Sequence, residues 1–274
     1  MNSNPSAILS PVPAERGAMG SSVDFKIVIP ARYASNRFPG KLLKEICGKP
    51  MIQHVWERGC EAGASEILIA TDDVRIQHAA EAFGAEVLMT SAEHESGSDR
   101  IAEVTNTRRW SDDAIVVNLQ GDEPLTPAHI LTQVATDLDL HKEADMTTLC
   151  AKIDNYRDLD DPNIVKVVHD NRGYALYFSR APIPFIRDRD PEARPTYALR
   201  HIGIYGYRVE FLKRYTTMSM GRLEEIECLE QLRALRHGAK IYVSHTVESP
   251  EPGVDVPEDL ERIATIMGEA RHAC

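Results

Sequence analysis

The sequence predicts an α/β fold on a mostly parallel, doubly wound sheet. Three observations carry this. Short apolar runs alternate with helix-length amphipathic segments from Phe25 onward, the pattern of successive βαβ units. Hydrophobic residues make up 43% of the chain and charged residues 27%, an ordinary globular balance. The 274 residues suit one large domain, with room for a smaller subdomain.

Each element follows from local pattern. Ile27-Val28-Ile29, ending at Pro30, reads as a buried first strand. Residues 51–62 place Met51, Ile52, Val55, Trp56 and Ala62 on one helical face. Residues 67–70 read as the second strand, 74–83 as a helix and 86–89 as a third strand. Residues 98–107 read as a helix with Ile101 and Val104 inward, and 114–119 as a fourth strand. Its following helix covers 127–140, with Pro127 in the first turn and Thr126 as cap. After residue 144 the rhythm changes. Strands are predicted over 146–153, 164–169 and 174–179, the last two joined by a hairpin at Asn171-Arg172-Gly173. A further strand covers 202–207, followed by a helix over 210–215. Leu223, Ile226, Leu229, Leu232 and Leu235 predict one helix over 222–236, with Glu224, Glu227, Glu230 and Gln231 in one sector. A strand over 240–245 and a closing helix over 257–268 complete the chain.

Composition excludes several functions. Lys plus Arg is 31 and Asp plus Glu is 42, a net charge of −11, which argues against nucleic acid as a partner. No apolar run is long enough to span a membrane. The five cysteines lack CxxC spacing, so a reduced, cytoplasmic protein is expected rather than a disulfide or zinc framework. Residues 1–22 read as a disordered leader without signal-peptide character, with Met19 as an alternative start.

In such sheets, ligands bind beyond the carboxyl ends of the strands. The loop after the first strand is Ala31-Arg32-Tyr33-Ala34-Ser35-Asn36-Arg37-Phe38-Pro39-Gly40-Lys41. Residues 31–49 hold five basic groups and one acidic, a local excess that suits a phosphate. The spacing is neither GxGxxG nor a Walker A motif, which disfavours dinucleotide binding and P-loop hydrolysis. The fourth strand runs into Gly121-Asp122-Glu123-Pro124, and Gly253-Val254-Asp255 precedes the last helix. Asp122 and Asp255 would suffice for Mg²⁺, which takes few carboxylates alongside phosphate oxygens. Asp255 has a second possible role as helix cap. Glu258 and Asp259 fit the helix's positive end.

Nine ordered segments carry a resemblance: IPARYASNRFPGK, LIATDD, ESGSDRIAEV, VNLQGDEP, NIVKVV, YALYFSRAPIP, RHIGIYGYR, LEQLRAL and GVDVPEDLERI. In these the chain resembles the 3-deoxy-manno-octulosonate cytidylyltransferases, also called CMP-Kdo synthetases. The resemblance implies CMP transfer from CTP to the 2-hydroxyl of Kdo, for lipopolysaccharide synthesis. It implies a nucleotidyltransferase fold like that of GT-A glycosyltransferases, occupying 23–274. A smaller sugar-binding and dimerisation subdomain is expected over about 154–215, and a homodimer. It places Arg32, Ser35 and Lys41 on the triphosphate and Arg100 near the cytosine or ribose. Gln120, Arg180, His201, Tyr205, Glu230 and Gln231 are expected on the acid sugar, and Asp122 and Asp255 on Mg²⁺. For His201 and Tyr205 plain strand packing is the other reading. Asn36 and Ser98 stand where the family often has Thr, and Phe185 where it often has Trp. An 8-amino-Kdo or sialic acid acceptor keeps the same chemistry. A glycosyltransferase needs an Asp-x-Asp motif that the Gly-Asp-Glu turn does not supply, although Asp72-Asp73 is a candidate acid pair. The acids at 122 and 255 disfavour a non-enzymatic CTP-binding protein.

Overall fold

The protein was analysed as a computed structural model that describes residues 23–34, 37–94, 96–187, 195, 197–248 and 250–272. The predicted leader and Ser35 lie outside the described residues.

The first half forms the predicted parallel units. Strands β1 (Phe25–Ala31), β4 (Glu66–Thr71), β5 (Glu86–Met89) and β6 (Ile115–Asn118) pair in parallel, with β1 between β4 and β6. Alternate residues of β1 face opposite sides of the sheet. Ile27 and Ile29 join a core with Met51, Ile52 and Val55 of α1 (Met51–Glu61) and Leu131 and Val134 of α4 (Ala128–Leu140). Val28 joins Leu68, Ala70, and Ile101 and Val104 of α3 (Gly97–Arg108) on the other side. Burial on both faces explains why these strands read as continuous apolar runs. Two short strands, β2 (Glu45–Ile46) and β3 (Lys49–Pro50), and a 3-10 turn at Lys41–Leu43 were not predicted. Helix α2 (Val74–Ala82) falls where expected, its first turn capped by Asp73, which accepts from the Arg75 N–H.

The full sheet runs β11-β7-β10-β6-β1-β4-β5. Strands β7 (Met146–Lys152) and β11 (Ile241–His245) are parallel to each other. Strand β10 (Leu199–Arg208) is antiparallel to both β6 and β7. This brings the amino half of β10 to the edge where β6 and β7 end. Although inside the 154–215 range, β10 is a central strand of the main sheet. Strands β8 (Lys166–His169) and β9 (Ala175–Ser179) form the predicted hairpin, and β8 adds to β10 through the Arg200–Lys166 register. The Asp170 carboxylate accepts from the N–H groups of Arg172 and Tyr174 and closes its turn. A small separate core of Ile153, Leu159 and Ala198 lies under α5 (Tyr156–Asp160).

Two local expectations are corrected. Pro127 precedes α4 as its N-cap and lies outside the first turn, while the Thr126 hydroxyl donates to Glu123. The segment 222–236 is two helices, α7 (Arg222–Glu227) and α8 (Gln231–Arg236). Cys228 takes a left-handed conformation between them, with φ of 51°. Helix α6 (Val209–Tyr215) follows β10, and α9 (Pro257–His272) ends the described chain.

Candidate active site

The two acidic turns are joined through their backbones. The Val254 N–H donates to the Asp122 carbonyl at 2.9 Å. A Cβ at Gly253 would lie 2.9 Å from that same oxygen, so the approach requires glycine. Lys41, only 9% exposed, sits between them. Its Nζ donates to Asp122 Oδ2 at 2.6 Å, to the Val254 carbonyl at 2.6 Å and to Asp255 Oδ1 at 3.5 Å. Arg37 reaches Asp255 Oδ1 at 2.9 Å, a contact the sequence did not reveal. Both carboxylates are therefore within 3.5 Å of one cationic nitrogen. In the first turn of α9, Asp259 Oδ2 accepts from the N–H groups of Asp255 and Val256 at 2.9 and 3.1 Å. The backbone N–H of Asp255 is the chief influence holding the Asp259 carboxyl below its usual range. The Asp255 carboxylate is left to face Lys41.

Arg100 is fully enclosed. It donates through Nη2 to Asp72 Oδ2 at 2.9 Å and through Nη1 to the Thr90 hydroxyl. Asp72 thus pairs with Arg100 and Asp73 caps α2. The remaining guanidinium nitrogen of Arg100, Nε, is buried without a partner.

Two clefts meet at this edge. The smaller, about 470 Å³, is lined by Arg32, Arg37, Lys41, Arg100, Asp122 and neighbours. The larger, about 870 Å³, is lined by His201, Tyr205, Glu230 and Gln231 among others. Arg32, Gly97, Gln120 and Asp255 line both. Arg32 also donates to the His94 carbonyl at 3.4 Å.

The larger cleft has a rigid floor. Thr148 Oγ1 lies 2.9 Å from His201 Nε2 and from the carbonyls of Ile202 and Ile204. This spans a register shift in β10 between Ile202 and Tyr205, the kind of irregularity that re-aims side chains. Burial lowers the His201 pKa to about 3, so the ring is neutral. Burial also raises the Glu230 carboxyl, which accepts from the Ser98 hydroxyl at 3.2 Å. Gln231 is 7% exposed and its Nε2 has no partner. Gln120 Nε2 donates to Asn118 Oδ1 at 3.1 Å.

Besides Arg32 and Lys41, nine of the predicted substrate or metal residues are described; eight of them line one or both clefts, and Arg180 lines neither. Arg180 donates through Nε to the Glu227 carbonyl at 2.7 Å and through Nη1 to the Pro162 carbonyl at 3.0 Å. Its own N–H donates to Glu227 Oε2. Sequence reasoning missed Asn118, Asp161, Asn163 and Arg200, which also line the larger cleft. A signal existed for Arg200: it stands directly before His201 near the start of a strand, at the sheet edge where ligands bind.

A family model for cytidylyltransferases matches residues 26–241. The 3-deoxy-manno-octulosonate cytidylyltransferase of Thioalkalivibrio sulfidiphilus is 56% identical over 248 residues, covering 89% of this chain and 99% of its own. That of Pseudoalteromonas atlantica is 52% identical, covering 88% of this chain and 97% of its own. The chain belongs to the 3-deoxy-manno-octulosonate cytidylyltransferase family. Among solved structures, a CMP:2-keto-3-deoxy-manno-octonic acid synthetase complexed with CTP superposes with a TM-score of 0.83 at 42% identity, covering 90% of this chain and 99% of its own. A cytidylyltransferase from Leptospira borgpetersenii shares the fold at a TM-score of 0.59 and 17% identity. Among the described residues no helix is long and apolar enough to cross a membrane.

Proposed function

We propose that this member of the cytidylyltransferase family transfers CMP from CTP to the 2-hydroxyl of Kdo, supplying the activated sugar for lipopolysaccharide synthesis. The observation that carries the reading is the junction of two clefts, one cationic and one polar, at Arg32, Gln120 and the Lys41–Asp122–Asp255 cluster. A nucleotide in the smaller cleft and an acid sugar in the larger would present their reacting atoms to each other there.

The chemistry is one displacement. The sugar's 2-oxygen bonds to the α-phosphorus, the bond to the bridging oxygen breaks, pyrophosphate leaves, and the hydroxyl proton passes to solvent. Arg32 and Lys41, with Ser35 from the same loop, hold the triphosphate and offset charge as it shifts to the leaving group. Arg100 serves the nucleoside end from the lining of the smaller cleft. Gln120, His201, Tyr205, Glu230 and Gln231 orient the sugar, and the neutral imidazole of His201 acts as a hydrogen-bonding group rather than a cation.

The donor set fits Mg²⁺. Asp122 and Asp255 offer hard oxygen ligands within reach of one point, leaving the other positions to phosphate oxygens and water. When bound, the ion supplies charge neutralisation at the phosphate and lowers the pKa of the attacking hydroxyl. Lys41 shields the two carboxylates from each other in the free protein and turns to the phosphates when CTP enters.

The segment around 154–215 is proposed as the acceptor-side and dimer-forming part. Leu176, Phe185 and Tyr197 are 63%, 86% and 78% exposed, apolar surface that suits a second copy of the chain. Mixing the protein with CTP, Kdo and Mg²⁺ tests the activity. Pyrophosphate release with a product of CMP-Kdo mass is expected; release only with 8-amino-Kdo or a sialic acid moves the acceptor, and no release with any acid sugar removes the reading.

A further inference from the structure

Arg200 and Lys166 are direct register partners across the β10–β8 pair. Side chains opposite each other on an antiparallel pair share a face, and like charges there repel. Lys166 is fully enclosed and well satisfied: its Nζ donates to the carbonyls of Asp161, Ile164 and Arg180 at 2.8, 2.6 and 2.6 Å. These contacts hold the 161–165 rim of the larger cleft against the sheet.

Arg200 differs. It lines the larger cleft, and its Nε is buried without a hydrogen-bond partner. A guanidinium nitrogen shut away from water with no acceptor is costly. Position adds weight. The His201 N–H donates to the Val165 carbonyl at 2.7 Å, so the backbone beside Arg200 is fixed between two strands. Among the described residues two cationic side chains line this cleft, Arg32 and Arg200, and Arg32 is shared with the smaller one. Arg180, by contrast, gives two of its guanidinium nitrogens to backbone carbonyls and lines neither cleft.

We propose that Arg200 is a binding residue for the acceptor, donating hydrogen bonds to oxygen atoms of the acid sugar. The inference rests on the cytidylyltransferase reading. A guanidinium suits oxygen-rich anions because its donors are fixed and its charge is permanent.

Steady-state kinetics with Kdo and CTP varied in turn test it, on wild type, Arg200→Met and Arg200→Lys, each with its melting temperature. Arg200→Met is expected to raise KM for the sugar by about tenfold to hundredfold, the worth of a hydrogen bond to a charged group, with KM for CTP and the melting temperature nearly unchanged. Arg200→Lys keeps the enclosed stem and a charge, and is expected to give a smaller rise in the same constant; it carries the test should the Met variant not fold. An unchanged sugar KM in the Arg200 variants overturns the assignment while leaving the activity intact. A wild-type chain that turns over no acid sugar overturns both.

Discussion

A methyl group at Gly121 would meet the Pro30 carbonyl oxygen at 2.9 Å and Leu42 at 3.3 Å. The turn that presents Asp122 therefore exists because this position has no side chain. Gly121→Ala should cost about 1–3 kcal/mol of stability, since backbone and core must move to admit the Cβ, and should lower turnover through a displaced Asp122. Denaturant unfolding read beside pyrophosphate release checks this; full stability and full turnover together would place the turn's constraint elsewhere. At the same scale, His201 makes stability sensitive to acid. Its pKa falls from 6.5 to about 3 on folding because burial disfavours the charged ring. The unfolded chain then binds the proton first, so stability declines as pH drops from 6.5 toward 3. His201→Gln should flatten this part of the pH–stability curve, and an unaltered slope would mean that His201 does not stay neutral in the folded chain.

The elements show what the sequence could and could not reveal. The parallel strands were legible because burial on both faces leaves uninterrupted apolar runs, as at Ile27-Val28-Ile29. Strands β2 and β3, of two residues each, are too short to carry any period. The break between α7 and α8 was hidden because the leucine pattern runs through it with no Gly or Pro to mark it. Tertiary contacts set it instead. Glu227 is drawn to Ser179 and Arg180, Glu230 accepts from Ser98 in α3, and Glu224 takes a bidentate contact from Arg233. Three of the four residues predicted to share one sector thus serve three separate tasks. Glu224 is 5% exposed and its carboxylate is the chief cause raising the Arg233 pKa above its usual value. Glu224→Ala leaves a half-buried guanidinium without its anion and should destabilise the chain by about 3–5 kcal/mol, measurable as a lowered denaturant midpoint. A loss within about 0.5 kcal/mol, the scale of an ordinary surface change, would show that the pair does not secure the break.

Across the whole molecule, function depends on what the sheet brings together. Lys41 and Asp255 lie 214 residues apart, yet the first loop and the last turn meet because β1 and β6 are neighbours and the Val254 N–H is bonded to the Asp122 carbonyl. The Gly-Asp turns announced the acids in the sequence. Their shared contact with Lys41, the added Arg37, and the backbone bond that fixes the spacing were not legible there, since each needs the folded topology. The reversed strand β10 does the same for the acceptor side, carrying Arg200, His201 and Tyr205 to the edge where β6 ends at Asn118. Removing the Lys41 ammonium should affect the triphosphate more than the sugar. Lys41→Met is expected to lower kcat by roughly 10²–10³ with a smaller change in sugar KM, and a defect confined to the sugar would move Lys41 out of the phosphate site. The central claim is that Asp122 and Asp255 jointly hold a divalent cation against the triphosphate. The most direct test is pyrophosphate release by Asp122→Asn and Asp255→Asn across a Mg²⁺ titration, with melting curves alongside. The account predicts folded proteins whose turnover is at least about a hundredfold below wild type at saturating Mg²⁺. Near-native turnover by either variant in excess Mg²⁺ would contradict it.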